Sequence, residues 1–80
     1  PLLPIAKGKN VYKVLSIGFG NTGTPMVTIE SGRKTVCYKL PYEYSEWAMT
    51  VVGCANMGEK LVPGEVVFSL ENGKYYADIL

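Results

Sequence analysis

Residues 45–55 have the sequence SEWAMTVVGCA, and the candidate folds differ in whether this stretch is a helix or a strand. Ser45 is a suitable N-cap, because its hydroxyl can accept a hydrogen bond from an early backbone N–H of a helix. One helical stripe is apolar and consists of Trp47, Val51 and Cys54. The β-branched run at residues 50–52 would also suit a strand. We predict a short helix over residues 46–55, with a strand over residues 47–53 as the alternative.

Runs rich in β-branched and aromatic residues flank this helix on both sides and predict five strands. They cover residues 9–19, 26–30, 33–40, 65–70 and 74–80. The dipeptides Ser31-Gly32 and Asn72-Gly73 supply the glycine that tight hairpin turns require. Because most connections are too short for crossovers, the strands are expected to be antiparallel. The predicted order is β-β-β-α-β-β.

The first strand shows an imperfect alternation. One face would carry four apolar residues, with Lys13 interrupting them: Val11, Leu15, Ile17 and Phe19. Gly18 and Gly20 predict a bend or bulge near the end of this strand, as a strand needs when it serves two sheets of a small barrel.

Five antiparallel strands with a helix between the third and fourth are the arrangement of the oligonucleotide-binding (OB) barrel. We therefore predict an all-β fold with one short helix, an OB-fold-like five-stranded barrel that forms a single domain over residues 1–80. An SH3-like barrel is the main alternative. A six-stranded barrel or sandwich follows if residues 46–55 are a strand.

The first residues predict an extended arm. Residues 1–6, PLLPIA, are apolar and contain two prolines, and we assign residues 1–8 to an N-terminal arm. Six apolar residues are far too few to cross a bilayer, and no secretory signal is apparent. We expect a cytoplasmic location and no membrane partner.

The composition excludes several kinds of active site. The chain has no histidine, which removes histidine-based triads and histidine metal ligands. Its two cysteines, Cys37 and Cys54, lack the spacing of a zinc site, and we expect buried free thiols rather than a disulfide. We predict a protein that is not an enzyme and has no cofactor and no bound metal.

The formal net charge of +1 conceals a strong asymmetry along the chain. Residues 1–40 contain six basic side chains and one acid, which gives +5. Residues 41–80 contain two basic and six acidic side chains, which gives −4. A basic first half favours a polyanionic partner if the fold keeps the two halves apart.

Basic and aromatic residues occur together in the first three predicted strands. Single-stranded nucleic acid is bound by cations that contact phosphates and by aromatic rings that stack on bases. The candidate phosphate contacts are Lys9, Lys13, Arg33, Lys34 and Lys39. The candidate stacking residues are Tyr12, Tyr38 and Tyr42. In an OB barrel the second and third strands and their loops form the binding face, and Arg33, Lys34, Tyr38 and Lys39 lie there.

The other aromatic residues have different expected roles. Tyr44 is expected to be as open to solvent as Tyr42, whereas Trp47 is expected to close one end of the barrel from the helix. Tyr75 and Tyr76 are adjacent in a strand, so one should face the core and the other the surface.

Three segments carry a resemblance to a known family. They are residues 23–28, GTPMVT, residues 62–68, VPGEVVF, and residues 72–75, NGKY. Together they resemble the small single-stranded DNA-binding proteins of filamentous phages. The resemblance implies an OB barrel, a phage-encoded homodimer, and cooperative, sequence-tolerant binding of single strands, DNA in preference to RNA. Met26 stands where that family often has an aromatic residue.

We therefore predict a non-enzymatic protein that binds single-stranded nucleic acid through a basic, tyrosine-bearing barrel face. The alternative is a small protein-interaction or self-assembling module, which would use Tyr42, Tyr44 and exposed apolar side chains as its interface.

Overall fold

The protein consists of five strands and one α-helix in a computed structural model that describes all of residues 1–80. The elements are β1 (Gly8–Phe19), β2 (Pro25–Ser31), β3 (Lys34–Lys39), α1 (Ser45–Asn56), β4 (Gly64–Glu71) and β5 (Lys74–Ile79). A 3₁₀ turn, Tyr42–Tyr44, leads directly into α1. The predicted element order and the helix are confirmed. The alternative strand at residues 47–53 is wrong, and with it the sixth strand.

The start of α1 differs from the prediction. Ser45 is the first helical residue rather than the N-cap, and the N-cap residue, Tyr44, makes no side-chain cap hydrogen bond. The 3₁₀ turn explains this difference, because the N–H of Ser45 already donates to the carbonyl of Tyr42. A preceding turn therefore supplies the acceptor that an N-cap hydroxyl would otherwise provide.

All five strands belong to one antiparallel sheet in the order β3-β2-β1-β4-β5. β1 lies at the centre and pairs with β2 on one side and β4 on the other. β3 and β5 do not pair with each other, so the sheet is not closed and the closed barrel of the prediction is not confirmed. The tight turn Asn72-Gly73, with both residues at positive φ, joins β4 to β5 as the sequence predicted.

A β-bulge in β1 changes which side chains face the core. The pairing with β2 shifts between Val14 and Ser16, so that Leu15 is the extra residue. Val14 before the bulge is fully buried, and Ile17 after it packs against the core. Val11, predicted on the apolar face, is 54% exposed. The predicted face of β1 is therefore wrong before the bulge, at Val11, and holds after it, at Ile17, because one inserted residue reverses the alternation. The bulge itself lies at Leu15 and not near Gly18.

The core lies between one face of the sheet and α1, and aromatic rings dominate its centre. Phe68 on β4 is fully buried. Its ring centroid lies 5.3 Å from that of Tyr44, 5.5 Å from that of Trp47 and 6.2 Å from that of Tyr12. The edge-on arrangement of Phe68 with Tyr44 and Trp47 is favourable for aromatic pairs.

Tyr44 is buried, with 2% of its surface exposed, so the expectation that it is open to solvent is wrong. Its hydroxyl donates to the carbonyl of Tyr76 at 2.9 Å and lies 3.4 Å from the carbonyl of Ser69. The 3₁₀ turn directs this ring over the core, and the hydrogen bond to β5 satisfies its hydroxyl. On β5, Tyr75 packs on the core and Tyr76 is exposed, which confirms the predicted alternation.

Stability at alkaline pH should depend on Tyr44. Burial, with smaller effects from Tyr75 and Glu43, raises the pKa of Tyr44 to about 12, against 10.0 in a model compound. Because the folded-state pKa is the higher one, the neutral hydroxyl stabilises the fold fully below pH ~10 and this contribution is lost as the pH rises through ~12. We expect the free energy of unfolding to fall by on the order of 2 kcal/mol over that range.

Urea unfolding between pH 8 and pH 12 measures this loss. Tyr44→Phe should be less stable by about 1 kcal/mol at pH 8, because it lacks the hydroxyl. The variant should also lose less stability than the wild type on going to pH 12. Equal losses in the two proteins would show that Tyr44 does not cause the pH dependence.

The N-terminal residues lie against the sheet. Leu2 forms a parallel bridge with Lys39 at the edge of β3, and Leu3 is buried. The Asn10 side chain exchanges hydrogen bonds with the backbone of Ala6, at 3.1 and 2.8 Å. The bridge to Lys39 covers part of the free edge of β3. No helix combines the length and apolar character needed to cross a membrane.

Candidate nucleic-acid interface

The sheet has a second face that points away from the core, and we call it the outer face. Across β1, β2 and β3 the pairing registers align its residues in three rows. The rows are Gly18–Met26–Lys39, Ser16–Thr28–Cys37 and Lys13–Glu30–Thr35. The sequence predicted the inward positions Val27 and Ile29 correctly, and both are buried. Small and polar side chains therefore form most of this open surface.

Three basic residues lie along β3, an edge strand of the sheet. Lys34 and Lys39 begin and end β3, and Arg33 lies in the turn just before it. All three are exposed, and none forms an ion pair. The five-residue step from Lys34 to Lys39 corresponds to about 17 Å of extended strand. β3 therefore carries a line of uncompensated positive charge along the edge of the sheet, with Lys39 projecting from the outer face and Lys34, an odd number of residues away, from the opposite face.

The other two predicted phosphate contacts lie elsewhere. Lys13 is on the outer face, but its Nζ lies 3.1 Å from Oε1 of Glu30. Lys9 is nearer the start of β1 and pairs with Ser69 of β4, beside the acidic residues Glu71 and Asp78. The structure thus places three of the five predicted basic contacts at or beside β3, on both of its faces, whereas Lys13 is paired with an acid and Lys9 lies apart.

Two of the predicted stacking residues lie on the opposite face of the sheet. Tyr12 and Tyr38 are half-buried and pack against the core. The Tyr12 hydroxyl donates to the carbonyl of Pro4, and burial, with a smaller effect from Tyr38, raises the pKa of Tyr12. Neither ring can stack on a base that lies on the outer face.

The sequence contained the signal for this separation. Tyr12 precedes Lys13, and Tyr38 precedes Lys39, and adjacent residues of a strand point to opposite faces. The same alternation identifies outer-face residues that the sequence analysis did not assign to the site: Met26, Thr28 and Cys37.

Tyr42 is the aromatic residue placed to act with β3. It lies three residues beyond Lys39, in the 3₁₀ turn, and is 78% exposed. Its hydroxyl makes no hydrogen bond to the protein, unlike that of Tyr44. Its ring is therefore free to contact a ligand at the Lys39 end of the line of charge.

The charge asymmetry of the sequence is also an asymmetry in space. β3 contains two lysines and no acid, whereas β4 contains Glu65 and Glu71 and no base. β5 contains one of each, Lys74 and Asp78. Because β3 and β4 are separated by β2 and β1, the positive and negative charges occupy different parts of the sheet.

The other candidate sites are two surface depressions and the two cysteines. An apolar groove of about 290 Å³ lies between α1 and β1, and a polar depression of about 300 Å³ lies on β4 and β5. No group of three or more cysteine, aspartate or glutamate side chains could hold a metal ion. Both cysteines are free, and Cys37 is exposed, so the prediction that it is buried is wrong.

Comparison with known proteins does not assign the chain to a family. No protein-family model matches it, and no curated protein or solved structure matches it.

Proposed function

We propose that this protein binds single-stranded nucleic acid, without catalysing a reaction, along β3 at the edge of the sheet. The observation that carries the proposal is the line of three exposed, unpaired cations, Arg33, Lys34 and Lys39, with Tyr42 exposed beyond its end. Cations spaced along an extended strand suit the repeated phosphates of a flexible polyanion.

Each part of this surface has its own role in binding. The three cations contact phosphates of a nucleic acid that follows the edge of the sheet, and the Tyr42 ring stacks on a base at one end. Met26, Thr28 and Cys37 form a shallow floor beside the backbone of the nucleic acid. Hydroxyl, thiol and thioether groups distinguish poorly between bases, so binding is expected to tolerate different sequences.

The topology supports the same proposal. The order β3-β2-β1-β4-β5, with a helix between β3 and β4, is that of an OB barrel opened between β3 and β5. We infer that the sheet is a partly open OB barrel, in which the β2–β3 surface is the usual ligand face. The resemblance to phage single-stranded DNA-binding proteins leads us to propose DNA in preference to RNA, a homodimer, and an intracellular, phage-encoded protein.

Titration of a fluorescein-labelled 16-nucleotide dT strand, followed by anisotropy at 20 and 200 mM NaCl, tests the proposal. Three neutralised phosphates predict a slope of log affinity against log salt of about −2, or a weakening of about 100-fold over this range. A duplex and a U strand of equal length serve as competitors. No binding below about 100 µM protein at 20 mM salt would contradict the proposal.

The rate of thiol alkylation reports where the bound nucleic acid lies on the protein. Cys37 is on the proposed surface, and Cys54 is on α1. Saturating dT strand should slow the alkylation of Cys37 and leave that of Cys54 unchanged. Equal protection of both thiols would contradict binding along β3.

A second candidate function is a protein-interaction module, and one observation favours it. Val11, Val67 and Tyr76 form an apolar patch on the β1–β4–β5 part of the outer face, where Val11 is 54% exposed. An exposed apolar patch beside charged residues is typical of a protein interface. Light scattering at 0.05 and 0.5 M NaCl, with and without oligonucleotide, separates the candidates. Oligomers that are indifferent to oligonucleotide would favour the second.

A further inference from the structure

A row of alternating charge crosses the centre of the outer face. Lys13 on β1 has Glu30 of β2 as its partner on one side and Glu65 of β4 on the other. Residues directly opposite each other in antiparallel strands project from the same face, with Cβ atoms about 5 Å apart. Lys13 therefore lies between two carboxylates, and its ammonium group forms an ion pair with Glu30.

This row has a net negative charge, although two of its three residues belong to the basic first half of the chain. Glu30 is the only acid among residues 1–40. It stands on β2, next to the strand that carries the line of positive charge. A phosphate that approaches Lys13 meets a carboxylate on either side, so Lys13 attracts it far less than an unpaired lysine would.

We propose that Glu30 and Glu65 form an electrostatic border, which prevents Lys13 from binding the nucleic acid and keeps the bound nucleic acid at β3, away from β1. The proposal rests on the proposed function and adds the path of the ligand to it. Glu30 and Glu65 are thus residues that determine affinity and footprint without contacting the ligand.

The variant Glu30→Gln/Glu65→Gln tests the border, because the double change leaves Lys13 with neither carboxylate. We expect it to bind the dT strand about tenfold more tightly than the wild type at 50 mM salt. One additional phosphate contact, made by Lys13, should steepen the salt slope by about 0.7. Lys13→Gln alone should change the wild-type affinity by less than about twofold, because that lysine is already neutralised.

Two further variants separate this mechanism from a general effect of charge. Adding Lys13→Gln to the double variant should remove most of the gain and restore the wild-type slope. Glu59→Gln/Glu71→Gln changes the net charge equally at exposed positions outside the row and should change affinity by less than about twofold.

The outcomes also distinguish this proposal from the proposed function. If the wild type binds but the double variant does not bind more tightly, the border is refuted and the nucleic-acid proposal stands. A gain that persists without Lys13, or one that Glu59→Gln/Glu71→Gln reproduces, refutes the border as well. If neither the wild type nor any variant binds at 20 mM salt, the proposed function itself fails.

Discussion

The variant Arg33→Gln/Lys34→Gln/Lys39→Gln is expected to bind the dT strand about 100-fold more weakly than the wild type at 50 mM salt. Each of these cations is exposed and unpaired, so each can contact a phosphate at a gain of about 1 kcal/mol. Loss of all three should also bring the salt slope close to zero, because no counterions are then released at β3. Anisotropy titrations at three salt concentrations measure both quantities.

A variant of equal charge provides the control for this prediction. Lys7→Gln/Lys60→Gln/Lys74→Gln also removes three exposed lysines, but from the arm, the loop before β4 and the start of β5. It should bind within about threefold of the wild type, because charges beyond a Debye length are screened. Equal losses in the two variants would mean that binding follows net charge and not the surface of β3.

Phe68→Ala is expected to reduce the free energy of unfolding by about 3–5 kcal/mol. Phe68 is fully buried at the centre of the aromatic cluster and contacts the rings of Tyr12, Tyr44 and Trp47. The substitution leaves a cavity between the sheet and the helix, because Phe68 lies on β4 and its neighbour Trp47 lies on α1. A domain of this size has about 4–12 kcal/mol of stability in total, so the variant should lose a large fraction of it.

Two other substitutions keep this prediction measurable if Phe68→Ala does not fold. Phe68→Leu fills most of the same space and should cost about 1–1.5 kcal/mol. Phe19→Ala removes the other phenylalanine, which is 40% exposed at the end of β1, and should cost less than about 1 kcal/mol. Urea unfolding gives all three values, and a loss at Phe19 equal to that at Phe68 would contradict the position of the core.

Local patterns were sufficient to predict the elements. The helix at residues 45–56 follows from its apolar stripe, and the two hairpins follow from their glycine turns. The inward positions of β2, Val27 and Ile29, follow from simple alternation. Each of these signals depends on residues close together in the chain, where backbone geometry and side-chain periodicity act directly.

The interior of β1 could not be predicted in the same way. Its alternation holds on each side of Leu15 but not across it, because the bulge inserts one residue against β2. A bulge is stabilised by the pairing of two strands and leaves little local trace in a strand without glycine at that point. The burial of Tyr44 is similar, since its hydroxyl is satisfied by the carbonyl of Tyr76 on β5, a distant part of the chain.

For the candidate site, the sequence alone determined that the first half of the chain is basic and that Arg33, Lys34 and Lys39 lie at or beside one strand. It also determined, by alternation, that Tyr12 and Tyr38 cannot share a face with the lysines that follow them. Only the tertiary structure decided that Lys13 lies between Glu30 and Glu65 and that β3 keeps its charges unpaired. The physical reason is that the register between strands sets which charges meet, and this register depends on the packing of the whole sheet.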